Sequence, residues 1–119
     1  MKNKIKWLSE PEPHDYPAAQ SYLSLIYDEK TAKAIAGKLK RAAMSEFKSK
    51  DIFRASGLPL LGTTNWHVNK DQKEIEAGEE LSPLLLVRAC GKVLIADGYH
   101  RLCAVYSFDE DALIPCKIV

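Results

Sequence analysis

The sequence predicts an α+β fold in which a helical hairpin precedes a small mixed sheet with short helices. Residues 17–44 repeat apolar side chains at the spacing of amphipathic helices. Residues 46–119 instead carry short apolar runs separated by Gly and Pro, which is typical of strands joined by turns. We therefore divide the chain into a helical extension, residues 1–45, and a mixed domain, residues 46–119, on whose core the extension is expected to pack.

Composition places this chain of 119 residues among ordinary globular domains, with 46% hydrophobic and 28% charged residues. No stretch approaches the roughly 20 apolar residues that a membrane span needs. The basic first residues have no apolar stretch behind them, so we expect a cytoplasmic protein without a secretory signal or a membrane partner. The three cysteines form no C-x-x-C or zinc pattern and are expected to be reduced thiols.

The helical hairpin has recognisable start signals. Asp15 can cap a first helix that carries Pro17 in its first turn, and Asp28 can start the second helix. The apolar faces consist of Ala19, Tyr22, Leu23, Ile26 and Tyr27, then Ala32, Ile35, Ala36, Leu39 and Ala43. Two helices cannot bury such faces alone, so they should pack on the rest of the chain or on a second copy in a homodimer.

The mixed domain begins with less regular elements. Residues 46–48 favour a short strand, and Ser49 can cap a helix over Lys50–Ser56 that Gly57 ends. Residues 58–64 look extended. Asn69 can cap a helix over Lys70–Ala77.

The last third of the chain has the clearest strand signals. Two apolar runs, Leu84–Val87 and Val93–Ala96, surround a Gly and predict a hairpin buried on both faces. A helix is expected over Gly98–Ser107. A final strand is expected over Ile114–Val119, with Pro115 at a sheet edge or a strand start.

The densest chemistry lies where the strand ending at Ala96 passes into this helix. A first helical turn presents N–H groups without intrahelical partners and the positive end of the macrodipole, which together bind phosphate. Gly98 lets a ligand approach the backbone, Arg101 offers a planar set of donors, and His100 can donate to a phosphate or move a proton near neutral pH. Tyr99 should face the core.

Other candidates surround this turn. Asp97 could hold Mg²⁺ through one carboxylate and waters, or could simply cap the helix. His67, Lys70 and Asp71 could form a second wall, although Asn69 nearby also fits as a cap. Arg54 could reach an acidic ligand or remain solvated. In the segment before the first helix, His14 and Asp15 could approach the site, although a cap is the simpler interpretation.

From about residue 46 onward the chain resembles the ParB/sulfiredoxin superfamily. The resemblance rests on Pro83 before an apolar strand, on Val93–Ala96, on Gly98-Tyr99-His100-Arg101 opening a helix, and on the closing Ile-Pro-x-x-Ile-Val of residues 114–119. It implies that Gly98, Tyr99, His100 and Arg101 hold the phosphates of a nucleotide such as ATP or CTP. Sulfiredoxins carry a catalytic Cys where this chain has Tyr99, so the resemblance does not extend to reductase activity.

Three functions are compatible with these residues. The first is a nucleotide-dependent phosphotransferase or hydrolase, with Asp97 and His100 as catalytic groups and Mg²⁺ on the phosphates. The second is a DNA-binding or nuclease module, since residues 29–50 carry seven Lys and Arg against two Glu. The net charge of +1 nevertheless gives the whole chain no strong field for nucleic acid. The third is a non-catalytic nucleotide sensor that docks on a partner.

Overall fold

A computed structural model describes residues 4–119 and confirms the predicted α+β class. The helices are α1 (Asp15–Leu23), α2 (Glu29–Arg41), α3 (Ser49–Ser56), α4 (Trp66–Glu76) and α5 (Tyr99–Phe108). The strands are β1 (Lys6–Trp7), β2 (Ser45–Lys48), β3 (Glu80–Leu81), β4 (Leu84–Ala89), β5 (Lys92–Asp97) and β6 (Leu113–Ile118). Within the described residues, no helix is long and apolar enough to cross a membrane.

The main sheet has four strands in the order β2-β6-β4-β5. β6 runs antiparallel to β2 and parallel to β4, and β4 and β5 form an antiparallel hairpin. The prediction that Pro115 lies at a sheet edge or a strand start is wrong, because β6 lies inside the sheet and Pro115 is its third residue. Proline is tolerated there because pairing with β4 begins only at Cys116, so no β4 residue is paired with Pro115.

Two hydrophobic cores lie on opposite faces of this sheet, and β4 contributes to both. Leu84 and Leu86 pack with α3, α4 and α5, whereas Leu85 and Val87 pack with α1 and α2. This alternation follows from the two-residue period of a strand. The helical hairpin therefore buries its apolar side against the sheet of the same chain.

The start of α4 differs from the prediction. Its N-cap is Asn65, whose side-chain oxygen accepts the N–H groups of His67 and Val68 at 3.0 and 3.2 Å. Asn69 lies one turn inside the helix. The segment predicted to be extended before α4 forms a loop that is paired with no strand of the described chain. The earlier start matters because it places Trp66 and His67 in the first turn of a helix.

The first helix is shorter than its apolar pattern suggested. Asp28 caps α2 as expected, accepting the Thr31 N–H at 2.7 Å. α1, however, ends at Leu23. Tyr22 in its last turn and Ile26 in the turn that follows are exposed rather than buried. The N-cap of α1 is His14, which makes no side-chain capping bond, so Asp15 is a first-turn residue and not the cap.

Candidate functional site

The start of α5 is shaped by a bulge and a glycine. Leu86 pairs with Ile95 but Leu85 pairs with Asp97, so β5 carries one extra residue just before the strand ends. Gly98 follows as the N-cap of α5 with φ of 108°, and no side chain caps the helix. The first intrahelical bond joins the Leu102 N–H to the Gly98 carbonyl at 2.9 Å. The N–H groups of residues 99–101 thus have no acceptor within the helix.

Space around Gly98 is fully used. A Cβ placed there would lie 2.7 Å from Cγ of Leu84 and 2.9 Å from Nη2 of Arg101. Leu84 is completely buried. Glycine is therefore needed both for the positive φ and for the close contact. The close approach to Gly98 is made by Leu84 and by the Arg101 guanidinium, so the space that was expected to admit a ligand beside this glycine is occupied by the chain itself.

Arg101 is held by Asp97. Its Nη2 lies 2.7 Å from Oδ2 of Asp97, and both side chains are about four-fifths buried, with 19% and 18% exposed. Nε of Arg101 is buried and has no hydrogen-bond partner. Asp97 therefore does not cap the helix, and Arg101 is not a solvated surface residue. An approaching anion would meet a guanidinium whose charge is partly neutralised and whose donors are incompletely used.

The first turns of α4 and α5 meet at two imidazoles. The ring centroids of His67 and His100 are 4.7 Å apart. Trp66 contacts His67 edge to face at 5.0 Å, and Tyr99 lies 5.6 Å from His100. Because the positive ends of both helix dipoles lie at this contact, the corner is electropositive beyond the charge of Arg101 alone.

Burial sets the protonation of this corner. It lowers the pKa of His100, and the neighbouring His67 and Arg101 lower it further, so His100 is neutral at pH 7 and can accept a proton. Burial also raises the pKa of Asp97 despite the attraction of Arg101. Burial, followed by the charge of Glu74, raises the pKa of Asp71, which is close enough to Arg101 and His67 for both to oppose that rise.

The predicted second wall is only partly assembled. His67 and Asp71 reach the corner, whereas Lys70 lies 3.5 Å from Glu74 in an ion pair along α4. Arg54 is not brought to the corner. It is 82% exposed, lies 3.7 Å from Asp51, and lines a cleft with residues from the last turns of α5 and beyond.

A group of possible metal ligands comes together beside the corner. One ligand atom from each of Glu12, His14 and Asp15 lies within 4.8 Å of the others. Asp15 is buried and accepts hydrogen bonds from the Glu12 N–H and the Ser82 hydroxyl. The charges of Asp15 and His14 both act on Asp97, which shows that this segment approaches the site.

The predicted Mg²⁺ ligand Asp97 fits a directly bound cation poorly in this arrangement, because Arg101 occupies one of its oxygens. Glu12, His14 and Asp15 offer two carboxylates and an imidazole, but these groups already pair with one another. Nε2 of His14 lies 3.0 Å from Oε2 of Glu12 and 3.3 Å from Oδ1 of Asp15. An imidazole ligand is also typical of Zn²⁺ or Cu²⁺ sites and not of Mg²⁺ sites.

Cys103 is fully buried, and burial raises the pKa of its thiol, so it stays protonated at neutral pH. The Tyr99 hydroxyl donates to the Pro59 carbonyl. The start of α5 therefore has no reactive thiolate, because Cys103 stays protonated and Tyr99 has no thiol.

Residues 97–101 are partly buried. Five clefts of about 240 to 670 Å³ lie elsewhere on the described chain, and none of these five is lined by residues 97–101. Comparisons of the chain with protein-family models, curated proteins and solved structures found no match.

Proposed function

We propose that the protein binds the phosphates of a nucleotide at the start of α5 and acts as a nucleotide-dependent phosphotransferase or hydrolase. The observation that carries the proposal is the uncapped first turn of α5, with the Arg101 guanidinium lying over Gly98. Free N–H groups, a helix dipole and a guanidinium at one point are the usual means by which proteins hold phosphate.

Binding would exchange the partners of Arg101. Its guanidinium, now 2.7 Å from Asp97, would turn toward the phosphate oxygens, and its unpartnered Nε would gain an acceptor. Asp97 would then be a carboxylate beside the bound phosphates. This exchange favours ligands of high charge density, since a weakly charged ligand could not compete with the carboxylate.

The neutral imidazole of His100 provides the chemistry. As a proton acceptor beside the phosphate site, it can take a proton from an attacking water or hydroxyl. Arg101 and the amides of residues 99–101 would stabilise the charge of the transferring group, which is the main source of rate in phosphoryl transfer. The expected Mg²⁺ would bind the phosphate oxygens and neutralise their charge.

A thermal-shift assay with ATP and CTP, each with and without Mg²⁺, tests this proposal. A ligand present at about 100 times its dissociation constant should stabilise the wild type by about 2.7 kcal/mol. Arg101→Ala should lose that gain, whereas the exposed Arg54→Ala, which removes the same side chain elsewhere, should keep it. Loss of the gain in both variants, or in neither, contradicts the assignment.

Arg101→Ala leaves Asp97 without its partner, so a second variant separates binding from folding. Asp97→Asn combined with Arg101→Gln removes both charges and leaves no unpaired buried carboxylate. It should fold like the wild type and still fail to respond to nucleotide. Phosphate release from ATP or CTP then decides between an enzyme and a non-catalytic nucleotide sensor.

One observation favours nucleic acid as a second candidate ligand. Five basic residues of α2 are exposed outside its buried stripe, namely Lys30, Lys33, Lys38, Lys40 and Arg41. Such a face could follow a phosphate backbone. Binding of a DNA duplex that weakens steeply between low and physiological salt would support this candidate, and the absence of any mobility shift at low salt would remove it.

A further inference from the structure

Trp66 is an unusual residue to leave in water. Its side chain is 68% exposed, although a tryptophan normally buries most of its area. It occupies the first position of α4 and belongs to neither hydrophobic core. The exposed indole of Trp66 is therefore available to contact a ligand.

The position of Trp66 relative to the phosphate corner is fixed by ring contacts. Trp66 lies 5.0 Å from His67, and His67 lies 4.7 Å from His100, whose own backbone belongs to the first turn of α5. Trp66 is thus two ring contacts away from the amides proposed to hold phosphate. With this much of the side chain exposed, at least one face of the indole is open.

A cleft adjoins the open indole. It has a volume of about 430 Å³, within the range of small-ligand sites, and is lined by Trp66, Asn69, Lys70, Lys73 and Glu74 among others. The lining supplies both hydrogen-bond donors and acceptors beside an aromatic surface. This is the chemistry that holds a nucleobase, which stacks through its π face and bonds through its edge.

We propose that Trp66 and this cleft form the base subsite of the nucleotide whose phosphates lie at the start of α5. The inference rests on the proposed function and deepens it, because it distinguishes a nucleotide from phosphorylated ligands that have no aromatic ring. His67 does not line the cleft, but its ring contacts both Trp66 and His100 and so links the two subsites. Lys70 lies on the same face of α4 as Trp66 and is paired with Glu74 at 3.5 Å, so it would have to leave that ion pair to meet the ribose or the first phosphate.

Parallel titrations with nucleotides and with a ligand that has no base test the inference. Affinities for ATP, CTP, GTP and UTP, and for inorganic tripolyphosphate, are measured on the wild type, Trp66→Ala and Trp66→Phe. Loss of base stacking should weaken nucleotide binding by about tenfold or more and leave tripolyphosphate affinity unchanged. Phenylalanine should restore most of the lost affinity. Leu25→Ala, which shortens another strongly exposed apolar side chain, should change neither the affinity for nucleotides nor the affinity for tripolyphosphate.

Fluorescence gives a direct readout. Trp7 and Trp66 are the two tryptophans of the chain, so Trp7→Phe leaves Trp66 as the sole indole reporter. Nucleotides should quench its emission, and tripolyphosphate should not.

The outcomes separate this inference from the proposed function. An unchanged nucleotide affinity in Trp66→Ala, or an equal loss for nucleotides and tripolyphosphate, overturns the base subsite. Binding of tripolyphosphate without binding of any nucleotide overturns the base subsite while the phosphate site stands. Binding of nucleotides through Trp66 without binding of tripolyphosphate supports the base subsite and contradicts the phosphate site. If no anion binds, both are overturned.

Discussion

Replacing Gly98 by alanine should destabilise the folded chain more than the same change at any open glycine with positive φ. The φ of 108° is unfavourable for a residue with a Cβ and costs about 1–2 kcal/mol. The added Cβ would also lie 2.7 Å from Cγ of the fully buried Leu84, which cannot move away without disturbing the core. Overpacking of this kind costs about 1–3 kcal/mol more. We expect a total loss of about 2–5 kcal/mol in the free energy of unfolding.

Urea denaturation measures this loss, and Gly57→Ala is the matched control. Gly57 also has a positive φ, of 67°, but a Cβ there meets no atom within 4 Å. Its replacement should cost only the backbone term, about 1 kcal/mol. If Gly98→Ala lowers the free energy of unfolding no more than Gly57→Ala does, the backbone at Gly98 is not packed against Leu84 and Arg101. That result would refute the described arrangement of the start of α5.

Three further substitutions test other parts of the account. Asn65→Ala removes the acceptor for two N–H groups of α4, so it should cost about 1 kcal/mol in urea denaturation and speed hydrogen exchange in that first turn. Lys117→Met should cost about 1–3 kcal/mol by the same assay, because the buried Lys117 ammonium donates to the Lys40 carbonyl at 2.8 Å and pairs with Glu10 at 3.3 Å, and methionine can do neither. Because burial lowers the pKa of His100 below 6.5, its contribution to stability is full above about pH 6.5 and is lost as the pH falls toward the folded pKa. When the pH falls from about 7.5 to about 5.5, the free energy of unfolding of His100→Gln should therefore decrease less than that of the wild type. Equal decreases would contradict a lowered pKa for His100.

Local signals were enough for the helices and strands whose determinants lie close together in sequence. Asp28 caps α2 because the Asp side chain reaches an N–H three residues away, a contact that any helix start would allow. The strand, glycine and helix order around Gly98 could likewise be read from neighbouring residues. The start of α4 was misplaced because both Asn65 and Asn69 can cap, and only the tertiary position of the helix decides between them.

Contacts between distant segments could not be predicted in the same way. The bulge before Asp97 depends on the pairing of β5 with β4, and nothing in the local apolar pattern marks the extra residue. The approach of Asp15 to Asp97 depends on Ser82, which binds the Asp15 carboxylate from far along the chain. The ion pair between Arg101 and Asp97 could not be predicted either, because a side chain in the first turn of a helix can equally well extend into solvent.

A backbone amide titration followed by NMR tests the central claim most directly. Inorganic tripolyphosphate is added to the ¹⁵N-labelled wild type, and chemical-shift changes are mapped on the chain. We expect the largest changes on the amides of residues 99–101, with smaller ones at His67, and we expect all of them to saturate. Saturable changes centred instead on the exposed lysines of α2, or the absence of any saturable change near Gly98, would contradict the central claim.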